Sequence, residues 1–202
     1  MYINSYSHVS DSTEILDFIR LNGFAILVSQ VDGKPWATHI PLILSKDGTE
    51  LSGHVSRGNK AWRNFSNTEV LCIFQGPHAY ISSSWYDHEN VPTWNYLAVH
   101  VYGNIKIQEG EELLASLKAL TDKYEKHSQK SVSVEGMSKS YLEKEIRGIV
   151  GITIKITSVE ACFKLSQNRD DKNHAEIVSQ LKARGDSASV AIADEMVRHR
   201  KK

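Results

Sequence analysis

Two Asp-Gly pairs, Asp32-Gly33 and Asp47-Gly48, stand between short apolar runs and constrain this chain more than any other feature. Asp-Gly supplies the positive φ that a tight hairpin turn needs, so each pair predicts a join between antiparallel strands. Residues 24–30 (FAILVSQ) enter the first turn and residues 36–44 (WATHIPLIL) return from it. Pro41 cannot donate to a ladder, so that return strand is expected to lie at an edge or to carry a bulge, which draws attention to Thr38 and His39. A third strand follows at 50–55, completing a meander. Residues 70–75 (VLCIFQ) form an unbroken apolar run, residues 78–82 resume after Gly76-Pro77, and residues 94–107 alternate around Gly103, a residue suited to a bend. Residues 147–165 set Ile152, Ile154 and Ile156 against Thr153, Lys155 and Thr157, the period of a half-buried strand. Six to eight short strands rich in turn signals predict a closed or nearly closed antiparallel barrel.

Helical patterns interrupt and follow these strands. Asp11 and Glu14 have capping-box spacing at the head of residues 11–22. Leu113, Leu114, Leu117 and Leu120 mark a helix over 109–126, a shorter one is expected at 140–145, and residues 172–184 and 186–200 form a helical tail. The class is mainly β with flanking helices, α+β. The expected domains are a barrel over 1–170, with a helical insertion at about 109–145, and a C-terminal helical extension over 171–202.

Composition removes several functions. Acidic and basic side chains number 24 each, for a formal net charge of zero. No general electrostatic pull toward DNA or anionic lipid is expected, and the closing HRKK reads as a solvated end. No apolar run can span a bilayer, and the first residues lack the basic start and apolar run of a secretory signal, so the cytoplasm is the expected compartment. Cys72 and Cys162 lie in apolar runs without metal-binding spacing and read as buried thiols. The nine histidines show neither HExxH nor His-x-His spacing, so no metal site is expected. Neither a Walker loop, a GxGxxG nor a GxSxG elbow is present, and no catalytic residue is named.

The chemistry concentrates in residues 51–65, LSGHVSRGNKAWRNF. A strand ends in a polar turn that runs into an expected helix over 58–65, with Asn67 at its end. Ser56, Arg57 and Lys60 bring a hydroxyl and two cations to the place where helix-start amides point, the makings of a phosphate seat. Two further polar stretches stand out. Residues 83–93 (SSWYDHENVPT) form an irregular loop with aromatic residues in and beside it, and residues 164–169 (KLSQNR) close the last strand.

GHVSRGNKAW, GPHAYISSSWY, VPTWNYLAVHVYG and FKLSQNR, in this order, resemble the PaiB family of FMN-binding split-barrel proteins. The wider fold is similar to that of pyridoxamine-phosphate oxidases and flavin reductases. The resemblance implies a split β-barrel homodimer with FMN at the subunit interface. It assigns the FMN phosphate to Ser56, Arg57 and Lys60, the flavin ring to Thr38, His39 and Ile40, and the ribityl chain to His54. Trp94 and Asn95 would approach from the other subunit, while Lys164, Ser166, Gln167 and Asn168 would close the pocket. It further implies a negative transcriptional regulator. A flavin-dependent oxidoreductase or flavin reductase and a haem-binding split barrel stay open as alternatives, and direct DNA binding finds no support in the charge pattern.

Overall fold

A computed structural model of the chain describes residues 1–66 and 68–200. Asn67, expected to end a helix, and Lys201 and Lys202 of the basic tail lie outside the described residues. The elements run α1 (Ser12–Leu21), β1 (Phe24–Val31), β2 (Lys34–Pro41), β3 (Ile43–Leu44), β4 (Glu50–Ser56), β5 (Thr68–Ile81), β6 (Thr93–Gln108), α2 (Gly110–Glu125), α3 (Lys139–Ile146), β7 (Ile149–Lys164), α4 (Asp171–Arg184) and α5 (Ser187–Arg198). Short 3-10 turns occupy Lys60–Asn64, Ser83–Trp85 and Val134–Gly136. The strands form a seven-stranded antiparallel sheet in the order β2-β1-β5-β6-β7-β4-β3. The expected class, a split barrel with flanking helices, is the observed one. The chain divides into two compact units, one of residues 1–15, 75–99 and 160–202, the other of residues 16–74 and 100–159.

The second unit is the barrel. Both hairpins form where Asp-Gly predicts them. Asp32 and Gly33 take φ of 51° and 74°, so residues 24–31 pair with 34–41 across a two-residue turn. The predicted single strand over 36–44 is instead two. Pro41 ends β2, and after Leu42 the chain continues as β3, which pairs with β4. β2 and β3 are the two ends of the sheet order, yet one residue joins them. A single residue spans at most about 3.6 Å, so the sheet must curl until its ends meet. The contact is visible at Gly53, where a Cβ would lie 2.8 Å from the Pro41 carbonyl oxygen. The simple meander is therefore corrected, while the near-closed barrel stands. Leu27, Ile40, Leu42, Leu51, Phe65, Phe74, Val101, Ile105, Ile152 and Ile154 are buried to 2% exposure or less. Each such side chain contributes roughly 1.5–3 kcal/mol of burial.

The first unit gathers the other ends of β5, β6 and β7 with the N-terminal segment, α4 and α5. The Gly76-Pro77 break does not occur: β5 runs through it, because the fixed φ of proline is compatible with extended backbone. The N-terminal segment lies along β7, where Val9 N–H donates to the Ala161 carbonyl and Phe163 N–H to the Ser7 carbonyl. Asp170 and Asp186 cap α4 and α5, and Gly185 takes φ 76° between them. Asp87 anchors the irregular loop by accepting from Lys172 at 2.8 Å and Asn173 at 2.9 Å. These donors hold its carboxyl well below the usual carboxylate range. His199, between Glu14 and the Glu195 carbonyl, ties the end of α5 to the head of α1. Ile177, Leu181, Ile192 and Met196 bury the helical pair. Both cysteines are buried free thiols, and burial pushes Cys72 up to about 12.

Candidate functional site

The polar turn that follows β4 is held by the start of β7. Ser56 pairs with Ile149, and Arg57 N–H donates to the Gly148 carbonyl at 2.8 Å. The Arg57 side chain is locked on the same strand: Nε donates to the Arg147 carbonyl at 2.7 Å and Nη2 to the Ile149 carbonyl at 2.9 Å. A guanidinium carries five N–H donors, so these two bonds fix its plane and leave three N–H groups for another acceptor. Ser56 Oγ accepts from Gly58 N–H at 3.2 Å, and its own hydroxyl proton stays available.

The helix expected over 58–65 is only a 3-10 turn, Lys60–Asn64. Asn59 caps it, accepting from Ala61 N–H at 3.1 Å through Oδ1 and donating to Thr38 Oγ1 at 2.9 Å through Nδ2. One turn has no appreciable macrodipole and few spare amides. What positive charge the turn carries therefore comes from side chains. Trp62 donates its indole N–H to the Arg57 carbonyl, and two guanidinium carbons lie over its ring, Arg57 at 5.8 Å and Arg63 at 5.7 Å from the centroid. Arg57, Lys60, Arg63 and Arg147 are all exposed, and among the described residues none is ion-paired with a carboxylate. Three cations on the turn, with Arg147 on the segment that holds Arg57, lack a carboxylate partner, and their mutual repulsion is a cost that a bound anion would relieve.

The other sequence-predicted residues of this unit divide by face. Thr38 is half-buried, Ile40 is buried, and both lie on one side of β2. His39 points the other way, exposed and stacked on Phe24 at 6.2 Å. His54 lies on the same face of β4 as Ser52 and Ser56, opposite Gly151. It is half-buried, and burial lowers its pKa.

The remaining candidates belong to the first unit and form a different kind of cluster. Asn95 is fully buried. Its Oδ1 accepts from Ser166 Oγ at 3.1 Å and its Nδ2 lies 3.4 Å from Met196 Sδ. Ser166 takes φ 58°, a left-handed conformation that costs a non-glycine residue about 1 kcal/mol. Gln167 folds back on its own corner, accepting from Leu165 N–H at 2.9 Å and donating to the Phe163 carbonyl. Lys164 donates to Thr93 Oγ1. Trp94 stands apart: it is 52% exposed, with His78 and Tyr80 rings about 6 Å away. Asn168 is exposed.

The profile of the family described as "Putative FMN-binding domain" matches residues 1–158. A relative from Bacillus subtilis (strain 168), "Protease synthase and sporulation protein PAI 2", is 47% identical over 184 residues, covering 90% of this chain and 89% of the relative. The chain belongs to the PaiB family of FMN-binding split-barrel proteins. Two solved structures share the fold of this PaiB-family chain. The FAD and haem binding protein from Mycobacterium smegmatis superposes with a TM-score of 0.64 at 15% identity, covering 90% of this chain and 82% of that one. The flavocytochrome Anf3 from Azotobacter vinelandii gives 0.60 at 15% identity, covering 85% and 80%. Such identities speak to the fold alone.

Within the PaiB-family chain, sequence reasoning placed Asn59 in the turn but left three of its parts out: Trp62, Arg63 and Arg147. Trp62, expected with Phe65 to face the core, is half-buried beside the turn while Phe65 is buried; it and Arg63 lie inside the stretch already singled out and could have been found as the stack and third cation of one motif. Arg147 is 90 residues from Arg57, and no local signal joins them. Among the described residues no three of His, Cys, Asp and Glu gather in metal-binding geometry. None of the described helices is long and apolar enough to cross a membrane.

Proposed function

We propose that the chain binds FMN with its phosphate at the turn after β4. Ser56 and Arg57 hold the phosphate oxygens and Lys60 adds charge. Arg63 and Arg147 reinforce the local field. The observation that carries this reading is the locked Arg57 side chain, which keeps free N–H donors among cations that no carboxylate neutralises. A phosphate monoester carries the matching charge and acceptor oxygens. Thr38 and Ile40 border the same turn through Asn59 and the inner side of β2, and His54 follows on β4. FMN, when bound, supplies redox chemistry, while the protein supplies position and electrostatics.

The chain works, on this reading, as a flavin-holding regulator of gene expression, in line with a relative named for protease synthesis and sporulation. It is a homodimer, with the exposed group of His78, Tyr80 and Trp94 as a candidate subunit surface. Two buried free thiols suit the reducing cytoplasm. Flavin fluorescence titration tests the cofactor: saturable quenching with one FMN per chain is expected, and no binding at about 100 µM FMN overturns it. A gel shift against the protein's own promoter region over a salt series tests the regulatory step. Specific, salt-sensitive retardation supports direct action, and no retardation at low salt removes it.

A further inference from the structure

Arg57 ties the turn after β4 to β7, and two asparagines tie the same turn to the β1–β2 hairpin. β2 stands at one end of the sheet order and β4 next to the other end, and among the described residues no ladder joins them. Side chains cross that seam instead. Asn59 Nδ2 donates to Thr38 Oγ1 at 2.9 Å, and Asn64 Nδ2 donates to the Gln30 carbonyl at 3.2 Å. The two asparagines bracket the 3-10 turn, and between them Trp62 bonds back to the Arg57 carbonyl at 2.9 Å. Arg57 is thus placed relative to β7 and, through this bracket, relative to β2.

Capping alone does not account for Asn59. A cap needs one acceptor, which Asn59 Oδ1 supplies to Ala61 N–H at 3.1 Å, and serine or aspartate would supply it as well. The amide nitrogen is surplus to that task, and it is the nitrogen that reaches Thr38. Asn59 is half-buried and Asn64 exposed, so water competes less with the Asn59 bond and the larger effect belongs there. We infer that Asn59, with Asn64 as a second anchor, is a positioning residue that fixes the separation between the turn and β2. One flavin then meets the turn with its phosphate and β2 with its ring. Two contacts on one ligand reinforce each other in full only when their separation is held. The inference rests on the phosphate reading proposed above and adds to it the part that joins the two ends of the site.

Fluorescence titrations of FMN and of riboflavin, which carries no phosphate, test it on the full chain. Asn59→Ser keeps an oxygen for the cap and is too short to reach Thr38. The preference for FMN over riboflavin is expected to fall about threefold or more in this variant, with riboflavin affinity within about twofold of wild type. Thr38→Val breaks the same bond from the other side, and the double variant should lose no more preference than Asn59→Ser alone. Should Asn59→Ser fail to fold, Thr38→Val is read in its place. In the ligand-free protein, backbone order parameters over residues 60–64 are expected near the rigid value of about 0.85 in wild type and lower in Asn59→Ser. If wild type prefers FMN and Asn59→Ser keeps that preference, or loses both ligands in parallel, the inference is overturned and the phosphate reading stands. Unchanged order parameters, or additive losses in the double variant, overturn it as well. Equal binding of the two ligands by wild type overturns the inference and the phosphate reading together.

Discussion

At the end of β4, Arg57 commits two N–H groups to strand carbonyls and keeps three, beside cations without partners. At the end of β7, Gln167 turns both ends of its amide inward and Asn95 meets Ser166 and Met196. Both regions are polar corners where a strand ends, and both hold residues assigned to the cofactor. They differ in what is left over. The first corner is fixed by contacts that do not exhaust its donors. The second is fixed by contacts that engage its side chains with one another, across a left-handed Ser166. A binding site needs rigidity and spare hydrogen-bonding capacity together, and a structural clamp needs only the rigidity.

The comparison breaks most readily at Asn95. Asn95→Ala strands the Ser166 hydroxyl in a buried site and opens a cavity, so a loss of about 2–4 kcal/mol is expected, read by denaturant unfolding. The folded variant should still favour FMN over riboflavin, which lacks the phosphate. If that preference collapsed instead, the clamp would be part of the phosphate site.

Gly53→Ala sharpens the account of how the barrel positions the first corner. Its Cβ would press on the Pro41 carbonyl oxygen at 2.8 Å, and overpacking against backbone costs about 1–3 kcal/mol. The melting temperature should fall, and an unchanged value would mean that the sheet ends are not in close contact. Arg63→Ala and Arg147→Ala should each weaken FMN binding by only a few-fold, about 0.5–1 kcal/mol, with the difference fading at high salt.

The smallest effect concerns pH. Burial lowers the His54 pKa below its usual 6.5. Above that value both folded and unfolded chains hold the imidazole neutral. As pH falls below 6.5, the unfolded chain takes up the proton first, and stability declines until the folded-state pKa is reached. His174 is lowered in the same direction, by burial first and then by Arg200. His54→Gln should therefore flatten the acid side of the stability curve without abolishing its slope, a change visible in urea midpoints taken at successive pH values.

How much of this was legible beforehand depends on distance along the chain. The hairpins were readable because Asp32-Gly33 carries its turn geometry locally. The division at Leu42 was not, since Pro41 marks an interruption without saying that the next two residues pair at the opposite end of the sheet. Ser56, Arg57 and Lys60 were readable as a polar, cationic turn from composition and spacing. Their support by Arg147 and Ile149 was not, being long-range. The Lys164–Arg169 corner was readable as a polar cluster but not in its geometry. Whether Gln167 points outward or folds back on the Phe163 carbonyl follows from the backbone at Ser166, which residue types alone do not specify.

The most direct measurement is a paired titration of FMN and riboflavin against wild type and Arg57→Ala. Wild type should bind FMN more tightly than riboflavin by about tenfold or more, the scale of a charge-assisted hydrogen bond to phosphate. In Arg57→Ala the two ligands should converge, because riboflavin affinity is retained while the phosphate contribution is lost. An equal preference for FMN in both proteins would contradict the assignment of the phosphate to this turn.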